Sequence, residues 1–320
     1  MGGVSCALIL APGAARAQTA TTVRRIGVLG SGAQPTPDDF LQAYAPLREL
    51  GWVEGKNLLV ERRYANGRAE LLRPFAEELV HLKVELIATN GTDATLAAKN
   101  ATTTIPIIIW SAGDPVRTGL VASLAQPGGN ITGYSFVAPE LNAKRISLLH
   151  ELLPTAQRVG VLENSTNPIF GVLQKDTEPL YRSLGMQTII VEVAAESDLE
   201  NAVAEMARRR AQVVVVGADS LFRVNRFRIM NAALRYALPT MVDGGDMLEA
   251  GGLLSYAISV AEANQRHAAF IDKILRGAKP ADLPIEQPTK FELGINLKTA
   301  KALGITVPQS LLVRADEVIQ

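Results

Sequence analysis

Six short segments of this chain are dense in serine, threonine, asparagine, aspartate and glycine. In the first half they are Gly30-Ser31-Gly32-Ala33-Gln34, Thr89-Asn90-Gly91-Thr92-Asp93 and Ser111-Ala112-Gly113-Asp114. In the second they are Glu163-Asn164-Ser165-Thr166-Asn167-Pro168, Ala218-Asp219-Ser220 and Asp243-Gly244-Gly245-Asp246. Such residues supply hydroxyls, amides and main-chain N–H groups for hydrogen bonding, but no strong base. Where they open a helix they suit a carboxylate or phosphate. Singly, each also reads as an ordinary cap or turn former. Six together at strand ends read as a cradle for a small polar guest.

Motifs for bond-making chemistry are missing. Gly30-Ser31-Gly32 begins like a dinucleotide fingerprint, but Pro35 stands where its third glycine belongs. The run from Gly51 to Asn57 resembles a phosphate-binding loop with one residue too few between its glycines, and is simpler as a turn. No G-x-S-x-G elbow occurs. His81, His150 and His267 are far apart, each within a helical pattern, and each is expected on a helix surface. No metal-ligand spacing and no nucleophile–base pair is visible, so no catalytic group, cofactor or metal is expected. Scattered carboxylates that meet in three dimensions stay open as an acid–base pair. Aromatic residues make up only 5%. Trp110, Tyr134, Phe136 and Tyr256 near strand ends therefore read either as walls of a cleft or as core.

The elements that position these loops alternate. Short Val/Ile/Leu-rich runs at 25–30, 57–64, 84–89, 106–110 and 131–135 are separated by stretches of helical period. The same alternation returns at 158–163, 187–193, 212–217, 239–242 and 253–258. This is the signature of parallel sheets covered on both faces. In 37–50, Phe40, Tyr44, Leu47 and Leu50 share one helical face, with Pro37 and two aspartates at the start and Gly51 at the stop. Leu72, Phe75, Leu79 and Leu82 do the same in a second helix. Asp114-Pro115 is expected to cap a third, running through "VRTGLVASLA". RIGVL at 25–29 and RVGVL at 158–162 each open such a series, so the chain reads as two similar lobes. The helical stretch after residue 260 is surplus to the second lobe and is expected to cross back to the first, making a hinge. The division is 24–136 with a return helix at about 260–283 for lobe 1, and 137–259 with about 284–320 for lobe 2.

With 320 residues and 48% hydrophobic content, the chain has enough apolar surface for two cores. Lys+Arg and Asp+Glu are equal at 32 each, so no global field favours nucleic acid or an anionic membrane. Arg208-Arg209-Arg210 reads as the solvated end of a helix. Residues 1–23 read as a signal peptide and linker: a short apolar run precedes Ala15-Arg16-Ala17, an A-x-A cleavage pattern, although no Lys or Arg precedes the run. Cleavage there would remove Cys6, the single cysteine, and with it thiol chemistry and cysteine-ligated zinc. No later run is apolar and long enough to span a bilayer.

At this point longer phrases are recognisable. "LRELGWVEGKNLLVERRYANGRAELLRPFAEELVHLKVELIATNGTDATLAAKNATTTIPIIIWSAGDPVRTGLVASLAQPGGNITG" and the tail "KILRGAKPADLPIEQPTKFELGINLKTAKALGITVPQSLLVRADEVI" resemble the substrate-binding proteins of ABC transporters, in the branch with tryptophan- and tyrosine-type receptors. The resemblance covers about residues 24–319. It implies a type I periplasmic-binding-protein fold: α/β, two Rossmann-like lobes with parallel sheets joined by a three-crossover hinge. It also implies a ligand in the cleft, an amino acid first, and delivery to an ABC permease in the membrane. The family pattern carries over to Asn90-Gly91-Thr92, to Ser111 through Pro115 and to Asn164 through Pro168. After "LLSY", Ala257-Ile258-Ser259 replace the glycine and polar residue common there, which implies a more apolar wall near the hinge.

The residues expected to bind the ligand are Ser31, Gly32, Asn90, Gly91, Thr92, Ser111, Asp114, Asn164, Ser165, Asn167, Asp219, Asp243 and Tyr256. The expected function is solute capture in the periplasm by a monomer with no nucleic-acid partner and no enzymatic activity. Two other readings differ in testable ways. A secreted α/β enzyme would turn its ligand over, and a sensing domain would report to a membrane receptor instead of a permease. A cytoplasmic repressor is disfavoured because no helix-turn-helix precedes the first strand.

Overall fold

The computed structural model describes residues 23–136 and 139–320. The signal-peptide reading and Cys6 lie outside the described residues. Strands are β1 (Arg24–Gly30), β2 (Leu58–Tyr64), β3 (Ile87–Asn90), β4 (Ile107–Ser111), β5 (Ile131–Gly133), β6 (Arg158–Asn164), β7 (Gln187–Val193), β8 (Val213–Val216), β9 (Thr240–Val242), β10 (Leu254–Ile258), β11 (Phe291–Asn296) and β12 (Glu317–Ile319). Helices are α1 (Pro37–Glu49), α2 (Leu72–His81), α3 (Thr92–Ala101), α4 (Pro139–Leu152), α5 (Ile169–Ser183), α6 (Leu199–Arg208), α7 (Ser220–Val224), α8 (Arg226–Arg235), α9 (Gly245–Glu249), α10 (Val260–Leu275), α11 (Leu297–Ala302) and α12 (Gln309–Leu312).

The strands form two sheets. The first runs β2-β1-β3-β4-β5 and all its pairs are parallel. The second runs β12-β11-β10-β9-β8-β6-β7. Expected strands appear in both halves, but the second sheet is not wholly parallel: β11 runs antiparallel to β10. After α10 has crossed to the first sheet, the chain comes back antiparallel beside β10 as β11, and β12 then pairs parallel to β11 at the edge.

Each sheet is apolar on both faces. In lobe 1, Leu29, Ile87, Ile107 and Ile109 pack with Leu72, Leu79, Ala94 and Ala98 on one side. Ile26, Val28, Ile108 and Leu86 pack on the other with Leu47 and with Phe270, Ile271 and Ile274 of α10. The helix after residue 260 therefore does cover the first sheet. Two indole donors fasten it there: Trp52 Nε1 to Asp272 Oδ1 at 2.8 Å, and Trp110 Nε1 to Asn264 Oδ1 at 3.1 Å. α1 opens with a capping box on Thr36 and Asp39 and with Pro37 in its first turn. Leu47 is buried on its inner face, whereas Leu50 is 39% exposed beyond its end.

Between the sheets the chain passes through Tyr134–Phe136, through Ser259 into α10, and through 286–291. Residues 283–286 still lie along lobe 1, where Ile285 donates to Leu124 O and Glu286 to Gly133 O. Buried Glu262 ties these passages together. It accepts from Tyr134 Oη at 3.4 Å, Thr289 Oγ1 at 2.5 Å and Lys290 N at 3.0 Å.

Two expectations fail. Asp114 does accept from the main chain of Val116 and Arg117, as an N-cap should. The segment then closes into a turn, with Leu120 N and Val121 N both bonded to Pro115 O, and Gly119 adopts φ +72°, which ends any helix. His267 is no surface residue. It is 7% exposed, 6.4 Å from the Trp110 ring, and burial lowers its pKa to about 3, so it is neutral. His81 is exposed, as expected.

Candidate ligand-binding site between the lobes

The carboxyl ends of both sheets carry the polar loops. At the lobe 1 rim, buried Ser31 follows β1 and its hydroxyl donates to Asp93 Oδ1. Ser31 N donates to Asn90 O at 3.0 Å. Asn90 Oδ1 accepts from Ser111 Oγ at 2.7 Å, which couples the ends of β3 and β4. Gly91, at φ +111°, caps α3; a Cβ there would lie 2.8 Å from Asp93 Oδ1 and crowd Ser31, so glycine is required. Thr92 Oγ1 accepts from Gly113 N at 2.9 Å. Three sequence-expected residues, Ser31, Asn90 and Ser111, thus form one network, and Thr92 is bonded beside it to the loop after β4.

At the lobe 2 rim the centre is Asp219. Asn164 Nδ2 donates to its Oδ1 at 3.0 Å, Asn167 Nδ2 to its Oδ2 at 2.8 Å, and Leu221 N to Oδ1 at 2.8 Å. The asparagine acceptors are used locally, by Thr166 on Asn164 and by Ile169 N on Asn167. Asn164, Asn167 and Asp219 are all buried. Ser165 turns its hydroxyl back to Val193 O. Asp243 sits apart from this triad: with Asp246 it holds Arg223, whose pKa is raised, chiefly by Asp243. Tyr256 also lies apart, its ring stacked on Phe291 at 5.7 Å.

The two rims meet. A Cβ built on Gly32 would lie 3.8 Å from Ser220 Oγ, and one on Gly67 3.6 Å from Leu221 Cα. On the other side Gly113 lies under Ile169, and Arg117 pairs with Asp176 of α5. Between these contacts Asp93 stands on one rim and Asp219 on the other, near enough for their charges to interact. Burial raises the pKa of both, Asp219 to about 6, and the charge on Asp93 adds to the rise at Asp219. Among the described residues neither has a cationic partner; every hydrogen bond they accept comes from a neutral group. Glu163, just before Asn164, is pushed up to about 7 by burial and by neighbouring Glu192.

Asp93 lies in one of the six polar segments but carries no binding signal of its own, and Gly67, Ile169 and Leu221 carry none. Asp in the first turn of α3 reads as a capping residue, and nothing in its spacing reports the partner across the cleft. The apolar contacts carry no local signal, since they join positions distant in sequence.

A model of the ABC transporter substrate binding protein family matches residues 42–319. The chain belongs to that family. This substrate-binding protein is 25% identical to the tyrosine-binding protein of Clostridioides difficile (strain R20291), over 88% of this chain and 81% of that one. Its structure resembles the ABC domain in complex with L-Trp from Streptococcus pneumonia, with a TM-score of 0.86 and 25% identity, covering 93% of this chain and all of the other. Against a ligand-free, open substrate binding protein from Clostridium difficile with adhesive properties, the TM-score is 0.66 at 23% identity, covering 93% and 100% of the two chains. The fold is that of a type I periplasmic binding protein. Substrate-binding proteins of this family take a small-molecule ligand, serve an ABC transporter and work outside the cytoplasm.

Proposed function

We propose that this substrate-binding protein captures an amino acid between its lobes, an aromatic one first, and passes it unchanged to an ABC permease. One observation carries the ligand class: Asp93 and Asp219 stand on opposite rims, Asp219 buried and Asp93 half-buried, near enough for their charges to interact and with neutral donors only. Carboxylates held this way are costly until a cation joins them. The ammonium of an amino acid supplies it. Its carboxylate suits neutral donors of the same rims, the Nδ2 groups of Asn90 and Asn164, each with an N–H beyond those bonded above. The tyrosine-binding relative and the L-Trp complex support the aromatic preference.

The binding set we propose keeps Ser31, Gly32, Asn90, Gly91, Thr92, Ser111, Asn164 and Asn167 with Asp219, and adds Asp93. Asp114, Ser165, Asp243 and Tyr256 are proposed to support the rims without touching the solute. The lobes are 24–136 with the return helix, and 137–259 with the C-terminal part. We also propose a monomer, secreted through a cleaved signal peptide, with no nucleic-acid partner and no turnover of its ligand.

The test is a thermal-shift screen over amino acids, followed by mass spectrometry of the incubated solute. A bound solute at about 100 times its Kd stabilises the fold by about 2.7 kcal/mol. L-tryptophan or L-tyrosine should raise the midpoint, an analogue lacking the amine should not, and the recovered solute should be unaltered. A stronger response to the amine-free acid contradicts the ammonium reading, and a product contradicts the receptor reading.

A further inference from the structure

The segment 115–125, whose sequence predicts a helix, instead lays its first turn along α5. Ile169, Val172 and Asp176 fall three and seven residues apart, on one face of that helix. Gly113 meets the first of them, Arg117 Nη2 donates to Val172 O at 3.4 Å, and Arg117 Nη1 pairs with Asp176. The Gly113–Ile169 contact is tight. A methyl group on Gly113 would overlap Ile169 Cγ1 and lie 3.0 Å from its Cβ. Gly113 is not in the left-handed region, so its missing side chain matters for space and not for backbone strain. Ile169 is 4% exposed and cannot swing aside into solvent.

Both partners are bonded directly to the rims. Gly113 N donates to Thr92 Oγ1, and Ile169 N donates to Asn167 Oδ1. Their van der Waals contact therefore fixes how near Thr92 of one lobe comes to Asn167 of the other.

We propose that Gly113 and Ile169 form the steric stop of the cleft: positioning residues that set how far the lobes close, and hence how long a solute stays, without touching it. This rests on the reading of the cleft as the capture site. An added methyl at Gly113 holds the lobes apart, and trimming Ile169 gives that methyl room.

The experiment uses the full chain carrying Cys6→Ser, Arg117→Cys and Asp176→Cys, with a short bis-maleimide bridging the two cysteines only when the rims meet. Adding Gly113→Ala should slow cross-linking about tenfold, and Gly113→Ala with Ile169→Ala should restore most of the rate. If Gly113→Ala fails to fold by circular dichroism, Ile169→Phe crowds the same contact from the other lobe and should slow cross-linking likewise. Unchanged cross-linking in whichever of these variants folds, or no recovery in the double variant, overturns the stop. In parallel, without the cysteines, dissociation of L-tryptophan should be about tenfold faster for Gly113→Ala. A chain that binds no L-tryptophan at all refutes the ligand reading while the cross-linking arm still decides the stop.

Discussion

Thr289 Oγ1 donates to Glu262 Oε1 at 2.5 Å, so the last passage between the lobes is bonded to the start of the helix that makes the second. Tyr134 of the first passage reaches the same carboxylate. Burial pushes the Glu262 pKa upward, but the donors from Thr289 and Lys290 outweigh it, and the net direction is down. A depressed carboxylate pKa contributes stability that is present above the unfolded value and is lost as pH falls through the folded one. Glu262→Gln should cost about 1–3 kcal/mol in urea unfolding at pH 7, since buried donors lose a charged acceptor. It should also flatten the stability loss of the parent below its ordinary value of 4.5. Equal urea midpoints at pH 7 would show that the passages are held by other contacts.

Glu163 has the opposite sign. Its pKa is raised to about 7, so the folded state keeps a proton that the unfolded chain has released. Stability from this group is full below about 4.5 and falls as pH rises to about 7. Glu163→Gln should therefore stabilise the protein at pH 8, by about 1–3 kcal/mol, and leave it nearly unchanged at pH 4. Urea midpoints at the two values check this, and a variant that is less stable at pH 8 would contradict it.

Gly133 ends β5 at φ +131°, and a Cβ there would lie 2.5 Å from Ile109 N and overlap Ile109 O on the neighbouring strand. Gly133→Ala combines left-handed strain with a backbone clash that no rotamer relieves, at about 3 kcal/mol or more. A thermal midpoint within a degree of the parent would mean that β5 moves freely.

The strands of both lobes were legible because buried parallel strands are short apolar runs between helical stretches, as at 107–109 and 213–216. The C-terminal strands were not. Phe291, Leu293 and Ile295 alternate with Glu292 and Gly294, a weak pattern inside a tail rich in turns. The helix after Asp114-Pro115 failed because a good cap starts a turn but cannot carry it past Gly119. The site was half legible. Ser31, Asn90, Thr92, Asn164, Asn167 and Asp219 announced themselves as polar residues at strand ends. Asp93 did not stand out, because its significance depends on Asp219 in the other lobe. His267 reads as a helix-surface residue from its spacing alone, because local sequence does not report that α10 packs over the first sheet.

The most direct measurement is calorimetric titration of L-tryptophan and L-tyrosine into the parent chain, Asn90→Ala and Asn164→Ala. One asparagine stands on each rim, with its amide in the network described above. If the solute is gripped by both lobes, each substitution alone should weaken binding by about 1–3 kcal/mol, roughly five- to a hundredfold. Undiminished affinity in both variants would contradict capture between the rims.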